Sequence, residues 1–238
     1  MPATATPTDA KPDRKQAILL AAEKLFAQKG YHAVSIRQIA EEASVPLALV
    51  GYYYGPKHEL FHSIFAHWNS TIQERLVGLA AARASKLRNK LAAIIEAFIR
   101  PVLRMRASAE GEYYALLVAR ELYHANADTD RVLRAYFDPL AHAFIDALHE
   151  IAPYATRGQV AWCYQFALGA LLHHLSDSRV ERLSRVENKS GDPAAAGLLA
   201  RFIEGGLRAA LASPRGVAVK PQPASHPRST QPRRRQKA

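Results

Sequence analysis

Two histidines one helical turn apart, with a glutamate between them, form the segment whose residue types most directly point to chemistry. His58-Glu59-Leu60-Phe61-His62 matches the pattern H-E-x-x-H, in which two imidazoles on one helix face bind zinc and the glutamate acts as general base. No G-x-x-H extension follows, and His67 lies at the wrong offset for a third ligand. An all-helical zinc hydrolase is therefore an alternative interpretation only, and we expect neither a metal nor a cofactor.

The sequence disfavours three classes of protein. It contains no G-x-S-x-G elbow, phosphate-cradling glycine loop or recognisable catalytic triad, so we expect the protein not to be an enzyme. The single cysteine, Cys163, cannot form an intrachain disulfide, which favours a cytoplasmic location. The most apolar stretch, residues 160–175, is interrupted by Gln165 and is shorter than the roughly 20 residues of a membrane span, so no membrane partner is expected.

The positive charge is concentrated at the C-terminal end. The net charge is +11, and residues 213–238 alone contain seven basic side chains and no acidic one. This segment is rich in Pro and Ser and has few large apolar residues, so we predict a disordered basic tail. Residues 1–12, with three prolines, are predicted to be a flexible arm. A helical interaction protein whose tail binds anionic surfaces is a second alternative.

Between these ends the hydrophobic pattern predicts an all-α fold. Apolar residues recur at intervals of three and four, and no segment alternates convincingly with a period of two. Pro139 is expected to kink the seventh helix. About nine helices are predicted, at approximately 13–29, 35–43, 47–54, 57–76, 86–107, 110–125, 128–151, 156–185 and 193–212.

The second and third helices have the layout of a helix-turn-helix. The Ser35 hydroxyl is suited to cap the second helix, and Pro46 is suited to the first position of the third, where a missing N–H costs nothing. A helix placed in this way fits the major groove of DNA, which is about 12 Å wide. We predict a three-helix DNA-binding domain over residues 13–57 and a larger helical ligand-binding and dimerisation domain over residues 58–212.

The amino-acid sequence of this segment resembles that of the tetracycline-repressor (TetR) family. The matching runs are SIRQIAEEASV at residues 35–45 and VGYYYGPK at residues 50–57, and AAEKLFAQKGY at residues 21–31 resembles the family's first helix. The resemblance covers residues 13–62 and is weaker beyond residue 65. It implies a ligand-responsive regulator, usually a repressor, which binds a palindromic operator as a homodimer and is released by a small effector.

Eight positions of this chain match DNA contacts of that family. By this resemblance, the second-helix positions face phosphates or base edges, the first positions around the third helix face bases, and the last three face the DNA backbone. Their chemistry agrees with these roles, since hydroxyl groups and cations bind phosphate and Arg can bind guanine bidentately. The second-helix residues are Ser35 and Arg37. The residues assigned to bases are Pro46, Leu47 and Leu49, and those assigned to the DNA backbone are Tyr52, Tyr53 and Lys57.

The chain also departs from the family's usual residues. The family commonly has Gly at position 44, small or hydroxyl residues at 46 and 49, Tyr at 51 and Phe at 54, where this chain has Ser44, Pro46, Leu49, Gly51 and Tyr54. The recognition helix is therefore unusually apolar. Its two leucines either read thymine methyl groups or pack internally, and Tyr54 is expected to take the core position of the Phe.

The later helices carry the residues for effector binding and for dimerisation. Apolar and aromatic side chains predict a pocket for a small apolar or aromatic effector. The last two predicted helices combine apolar faces with small residues, so we expect a homodimer formed through them. The predicted pocket residues are Phe98, Met105, Tyr114, Leu117, Phe137, Phe144, Trp162 and Phe166.

Overall fold

The computed structural model describes residues 13–108, 111–123 and 127–211, and all regular structure in these ranges is helical. The predicted flexible arm and basic tail lie outside them. No helix in the described ranges combines the length and apolarity needed to cross a membrane. The helices are α1 Arg14–Lys29, α2 Ile36–Glu42, α3 Leu47–Tyr54, α4 Lys57–His67, α5 Asn69–Ala84, α6 Lys90–Ala107, α7 Gly111–Tyr123, α8 Ala127–Val132, α9 Asp138–Ile151, α10 Arg157–Ser176, α11 Arg179–Leu183 and α12 Ala196–Leu211.

The predicted all-α fold is confirmed, and three of the nine predicted helical stretches are divided. The fourth is interrupted at Trp68, and the eighth is interrupted near Asp177. The seventh contains a π-helical turn, Leu133–Phe137, in which the Asp138 N–H donates to the carbonyl of Leu133. Pro139 has no N–H to donate one turn back, so the chain before it adopts the wider turn instead of a simple kink.

Two hydrophobic clusters are joined through α7. The first packs α1 to α4 around fully buried Phe26 and Phe61. The second packs α5, α6, α9, α10 and α12. Helix α7 contributes Tyr114 and Leu117 to the first cluster and Ala115 to the second. A displacement of α7 should therefore shift side chains in both clusters, because close-packed interiors transmit small shifts.

The turn between α2 and α3 requires an unusual backbone conformation. Ser44 has φ of 53°, in the left-handed region that favours glycine. The turn is closed by the N–H of Val45, which donates to the carbonyl of Ala40 over 3.0 Å. The serine at this position thus holds a conformation that the usual glycine adopts without steric cost.

We expect the variant Ser44→Val to unfold more readily than the wild type. A β-branched side chain in the left-handed region should lower the free energy of unfolding by about 1–2 kcal/mol. Ser44→Gly is the control, because it keeps the turn geometry without a Cβ. Urea denaturation followed by circular dichroism measures both, and equal midpoints for the Val and Gly variants would contradict this account of the turn.

Candidate DNA interface and ligand cavity

The surface of α3 carries side chains predicted to reach DNA, with Leu47 assigned to bases and Tyr52 to the DNA backbone. Tyr52 is 79% exposed and Leu47 is 48% exposed, whereas Val50 on the opposite side is fully buried. Gly51 is also exposed, and a Cβ added there would meet no atom within 4 Å. Val50 anchors the helix to the first cluster, and the outward residues present an open apolar and phenolic face.

Helix α2 is held by a reciprocal cap at its N-terminus. The Gln38 N–H donates to the Ser35 hydroxyl over 3.3 Å, and the Ser35 N–H donates to the Gln38 side-chain oxygen over 2.8 Å. The expected capping role of Ser35 is thus present. Arg37 extends from the same helix as an exposed side chain.

The remaining residues of α3 and its N-terminus that are predicted to contact DNA differ in their exposure and packing. Pro46 precedes α3 and is exposed, and Tyr53 packs edge-on against Tyr52 with ring centroids 5.1 Å apart. Leu49 is half-buried and packs against the first cluster, which favours the packing interpretation for this leucine. Leu47 is left as the leucine able to reach a thymine methyl group.

Lys57 and Tyr54 both turn partly toward the protein. The Lys57 ammonium lies 4.4 Å from the centroid of Tyr31, and burial lowers the pKa of this lysine. A phosphate contact by Lys57 would therefore require its side chain to rotate away from the ring. The Tyr54 hydroxyl donates to the carbonyl of Lys15 over 2.9 Å, and burial raises the pKa of Tyr54 to about 12.

The H-E-x-x-H segment lies at the start of α4 and is used for local contacts. The Glu59 carboxylate lies 3.3 Å from His58 Nε2 and 3.6 Å from Arg131 Nη1. His62 is half-buried, and burial lowers its pKa. Within the described ranges, no group of three His, Cys, Asp or Glu side chains could hold a metal ion.

A cavity of about 400 Å³ lies between α5, α6, α7, α9 and α10. Its volume falls within the range of about 300–1,000 Å³ that is typical of small-molecule sites. The wall is mostly apolar, and its polar side chains are few. The lining residues are Thr71, Ile72, Arg75, Val102, Met105, Tyr114, Ala115, Val118, Leu122, Leu133, Phe137, Asp138, Ala141, Tyr164, Gln165, Leu168, Gly169, Leu171, Leu172 and Leu175.

Three of the eight predicted pocket residues line this cavity, namely Met105, Tyr114 and Phe137. The other five do not, for three different reasons. Leu117 is fully buried in the first cluster. Phe98 and Phe144 are buried in the second cluster behind the cavity wall. Trp162 and Phe166 are exposed on the surface of α10.

Trp162 and Phe166 lie on the outer face of α10 and not in the cavity. They are 63% and 67% exposed, and their rings stack with centroids 5.8 Å apart. Positions four residues apart share a helix face, so both point away from Tyr164 and Leu168, which line the cavity. Because α10 is apolar on both faces, its sequence pattern could not tell which face is inside.

Among the lining residues that the sequence analysis did not single out, Arg75 is the buried charged one. It is 5% exposed, and it lies on α5 between Ile72 and Leu79, which are also buried. Its guanidinium carbon lies 4.8 Å from the centroid of Phe98 and 5.6 Å from that of Phe144. An Arg in the middle of an apolar stripe with three- and four-residue spacing was the available signal.

Two sets of contacts connect α7, which forms part of the cavity wall, to α1. The Tyr114 ring stacks on Trp68 with centroids 5.3 Å apart, and Trp68 Nε1 donates to the Glu23 carboxylate over 2.7 Å. Farther along α7, the Arg120 guanidinium donates to the last carbonyls of α1, at Gln28 and Lys29. The helix-turn-helix domain is thus connected to the cavity through contacts of Tyr114, Trp68 and Arg120.

An exposed recognition helix supported by a small core, together with a helical domain enclosing an apolar cavity, defines the class of helix-turn-helix transcriptional regulators. Comparison with known families agrees. Residues 18–64 match the family described as bacterial regulatory proteins, tetR family, and residues 96–206 match the tetracyclin repressor-like C-terminal domain. The chain belongs to the TetR family and is a DNA-binding transcriptional regulator.

Individual relatives are similar over different parts of the chain. HbdR of Aromatoleum sp. (strain CIB), an HTH-type transcriptional regulator, is 42% identical over 48 residues, which are 20% of this chain and 21% of HbdR. BetI of Brucella anthropi, also an HTH-type transcriptional regulator, is 28% identical over 153 residues, which are 63% of this chain and 75% of BetI. The match to HbdR thus spans about a fifth of that protein.

Solved structures share the overall fold at low sequence identity. The fatty acid degradation regulator FadR from Bacillus halodurans superposes with a TM-score of 0.54 and 18% identity. The match covers 83% of this chain and 98% of FadR. At this identity the likeness concerns the fold alone, so the use made of the cavity has to be argued from this chain's own residues.

Proposed function

We propose that this protein is a ligand-responsive repressor that binds a palindromic operator as a homodimer and is released when a small, largely apolar effector enters the cavity. The observation that carries the proposal is the apolar cavity whose wall residue Tyr114 is stacked on Trp68, a partner of α1. We further propose that the protein acts in the cytoplasm and is not an enzyme.

The homodimer is proposed to form through α10 and α12. Trp162 and Phe166 on α10, and Leu198 and Phe202 on α12, are all more than 60% exposed. Exposed large apolar side chains that cluster on adjoining helices are typical of an interaction surface. A second copy of the same two helices would cover them in a four-helix interface with two-fold symmetry.

The same symmetry supports recognition of a palindrome. Two copies of α3 related by a two-fold axis can enter successive major grooves, about one DNA turn apart. Leu47 and Tyr52 on α3 and Arg37 on α2 then face the bases and phosphates, with Ser35, Pro46, Tyr53 and Lys57 around them and Leu49 supporting the helix. A displacement of α1 would change the distance between the two reading helices and weaken operator binding.

The effector is proposed to act through differential binding. A ligand can shift a conformational equilibrium only by the difference between its affinities for the two states. A ligand that displaces the Tyr114 ring also displaces Trp68 and its Glu23 contact, so its affinity would differ between the DNA-bound and released forms. The mostly apolar cavity wall makes compounds with an alkyl chain or an aromatic ring reasonable first candidates.

The test is selection of binding sites from random and genomic DNA fragments by the full chain. Wild-type protein is expected to enrich one palindrome, and an Arg37→Ala, Tyr52→Phe double variant is expected to bind it at least about 30-fold more weakly. The size follows from about 1–3 kcal/mol for each base-contacting Arg, lost in both subunits. Fluorescence anisotropy at fixed salt measures the affinities.

Arg88→Ala is the matched control, because Arg88 is an exposed basic residue of the second domain and its loss changes the net charge equally. A chain ending at residue 212 tests the basic-tail alternative. Loss of all DNA binding on removal of residues 213–238, or equal affinities for the double variant and Arg88→Ala, would refute recognition by the helix-turn-helix. Derepression of a reporter under the selected operator tests whether the protein acts as a repressor or as an activator.

A further inference from the structure

Arg75 on α5 is a buried cation that lies against two aromatic rings. It is 5% exposed, and its Nε and Nη2 atoms have no hydrogen-bond partner among the described residues. No carboxylate of the described residues forms an ion pair with it. Arg is almost never fully buried unless it is paired, because removing its charge from water is costly. An unpaired guanidinium at this depth therefore needs an explanation.

The neighbours of Arg75 stabilise its charge only in part. The guanidinium rests against the rings of Phe98 and Phe144, and such cation–π contacts replace part of the lost hydration. Burial lowers the pKa of Arg75, but an arginine stays protonated in a protein because its intrinsic pKa is above about 12. The wall of the apolar cavity therefore carries a permanent positive charge.

A second unused donor lines the same cavity. The Tyr114 hydroxyl is buried and has no hydrogen-bond partner in the part of the chain that the structure describes. Burial raises the pKa of Tyr114, so it retains its proton. The other charged lining residue is Asp138, whose side chain is exposed and forms no ion pair with Arg75. The buried part of the cavity thus offers donors and a positive charge, and no group within the described ranges accepts a hydrogen bond from Nε or Nη2 of Arg75.

We propose that Arg75 is the head-group site of the effector, and that the effector is an amphipathic organic oxyanion, with an apolar body and one carboxylate or phosphate group. The planar fork of Arg matches both groups bidentately. Tyr114 is the second donor, and the apolar wall contacts the body. This inference rests on the proposed function, because it names the chemical class of ligand that the cavity takes.

The empty protein should be less stable because of Arg75. Replacing a buried charge by an apolar side chain of similar length is often neutral or stabilising, whereas leaving it unpaired is costly. Arg75→Met should therefore raise the melting temperature of the unliganded protein or leave it unchanged. A purely structural arginine, held by its two aromatic neighbours, would produce the opposite result.

The experiment is calorimetric titration of the full chain with octanoate, octyl phosphate and octan-1-ol, which share one chain and differ in the head group. Wild-type protein is expected to bind at least one of the two anions about 30-fold or more tightly than the alcohol. Arg75→Met should lose that preference, and the matched control Arg88→Met should keep it. The better of the two anions shows whether the site takes a carboxylate or a phosphate.

Three results would overturn the head-group site: equal affinity for alcohol and anions, no binding of either anion, or a lower melting temperature for unliganded Arg75→Met. Operator binding separates these failures from failure of the proposed function. Arg75→Met without ligand should still bind the selected palindrome. If it does and the anions fail, only the head-group assignment is wrong, whereas a wild-type chain that selects no operator removes the proposed function whatever the calorimetry shows.

Discussion

A glutamate in place of Phe202 is expected to convert the homodimer into monomers. Phe202 is 71% exposed on α12 and belongs to the apolar surface formed with α10. In the proposed two-fold interface, one substitution places two carboxylates in an apolar contact. Interface hot spots contribute about 2 kcal/mol or more each, so the dimer should dissociate about 1,000-fold more readily.

The measurement is molar mass by light scattering over a range of concentrations, with operator affinity measured on the same samples. Monomers bind the two half-sites separately, so the affinity for the operator should fall as the fraction of dimer falls. Val77→Glu is the matched control, since Val77 is 69% exposed on α5, away from that surface. A Phe202→Glu protein with the wild-type mass at every concentration would show that the subunits associate elsewhere.

The variant Trp68→Phe is expected to weaken the connection between the cavity and α1. Phe keeps an aromatic ring beside Tyr114 but cannot donate to the Glu23 carboxylate, which is 1% exposed. Hydrogen bonds to charged groups contribute about 1.5–3 kcal/mol, so the melting temperature should fall by about 3–12 °C. The ligand response of operator binding should fall as well, because Tyr114 movements no longer reach α1 through this bond.

Calorimetric melting and ligand-dependent operator binding are the two measurements. The matched control is Tyr154→Phe, which likewise removes one donor from an aromatic side chain, at a position that is 89% exposed and lies outside the proposed dimer surface. Equal melting temperatures for the two variants would show that the Trp68 to Glu23 bond contributes nothing to stability. An unchanged ligand response in Trp68→Phe would show that coupling runs through another contact, of which Arg120 with the end of α1 is the evident one.

Some features of the site could be predicted residue by residue and others could not. The Ser35 cap and the short α2 and α3 are local, since they depend on side chains within a few positions of one another. The break at Trp68 was missed because the apolar pattern continues across it, and the division is made by contacts with α1 and α7. Hydrophobic spacing alone does not register such a tertiary interruption.

The sequence by itself determined the all-helical class, the helix-turn-helix and the family, because these depend on local periodicity, capping residues and a short specific motif. Only the tertiary structure decided which apolar residues surround the cavity and which are exposed. Trp162 and Tyr164 are two residues apart on α10, yet one is exposed and the other lines the cavity. The tertiary structure also decided that Nε and Nη2 of Arg75 have no hydrogen-bond partner among the described residues. The presence of such a partner depends on every helix packed around Arg75, and no single helix carries that information.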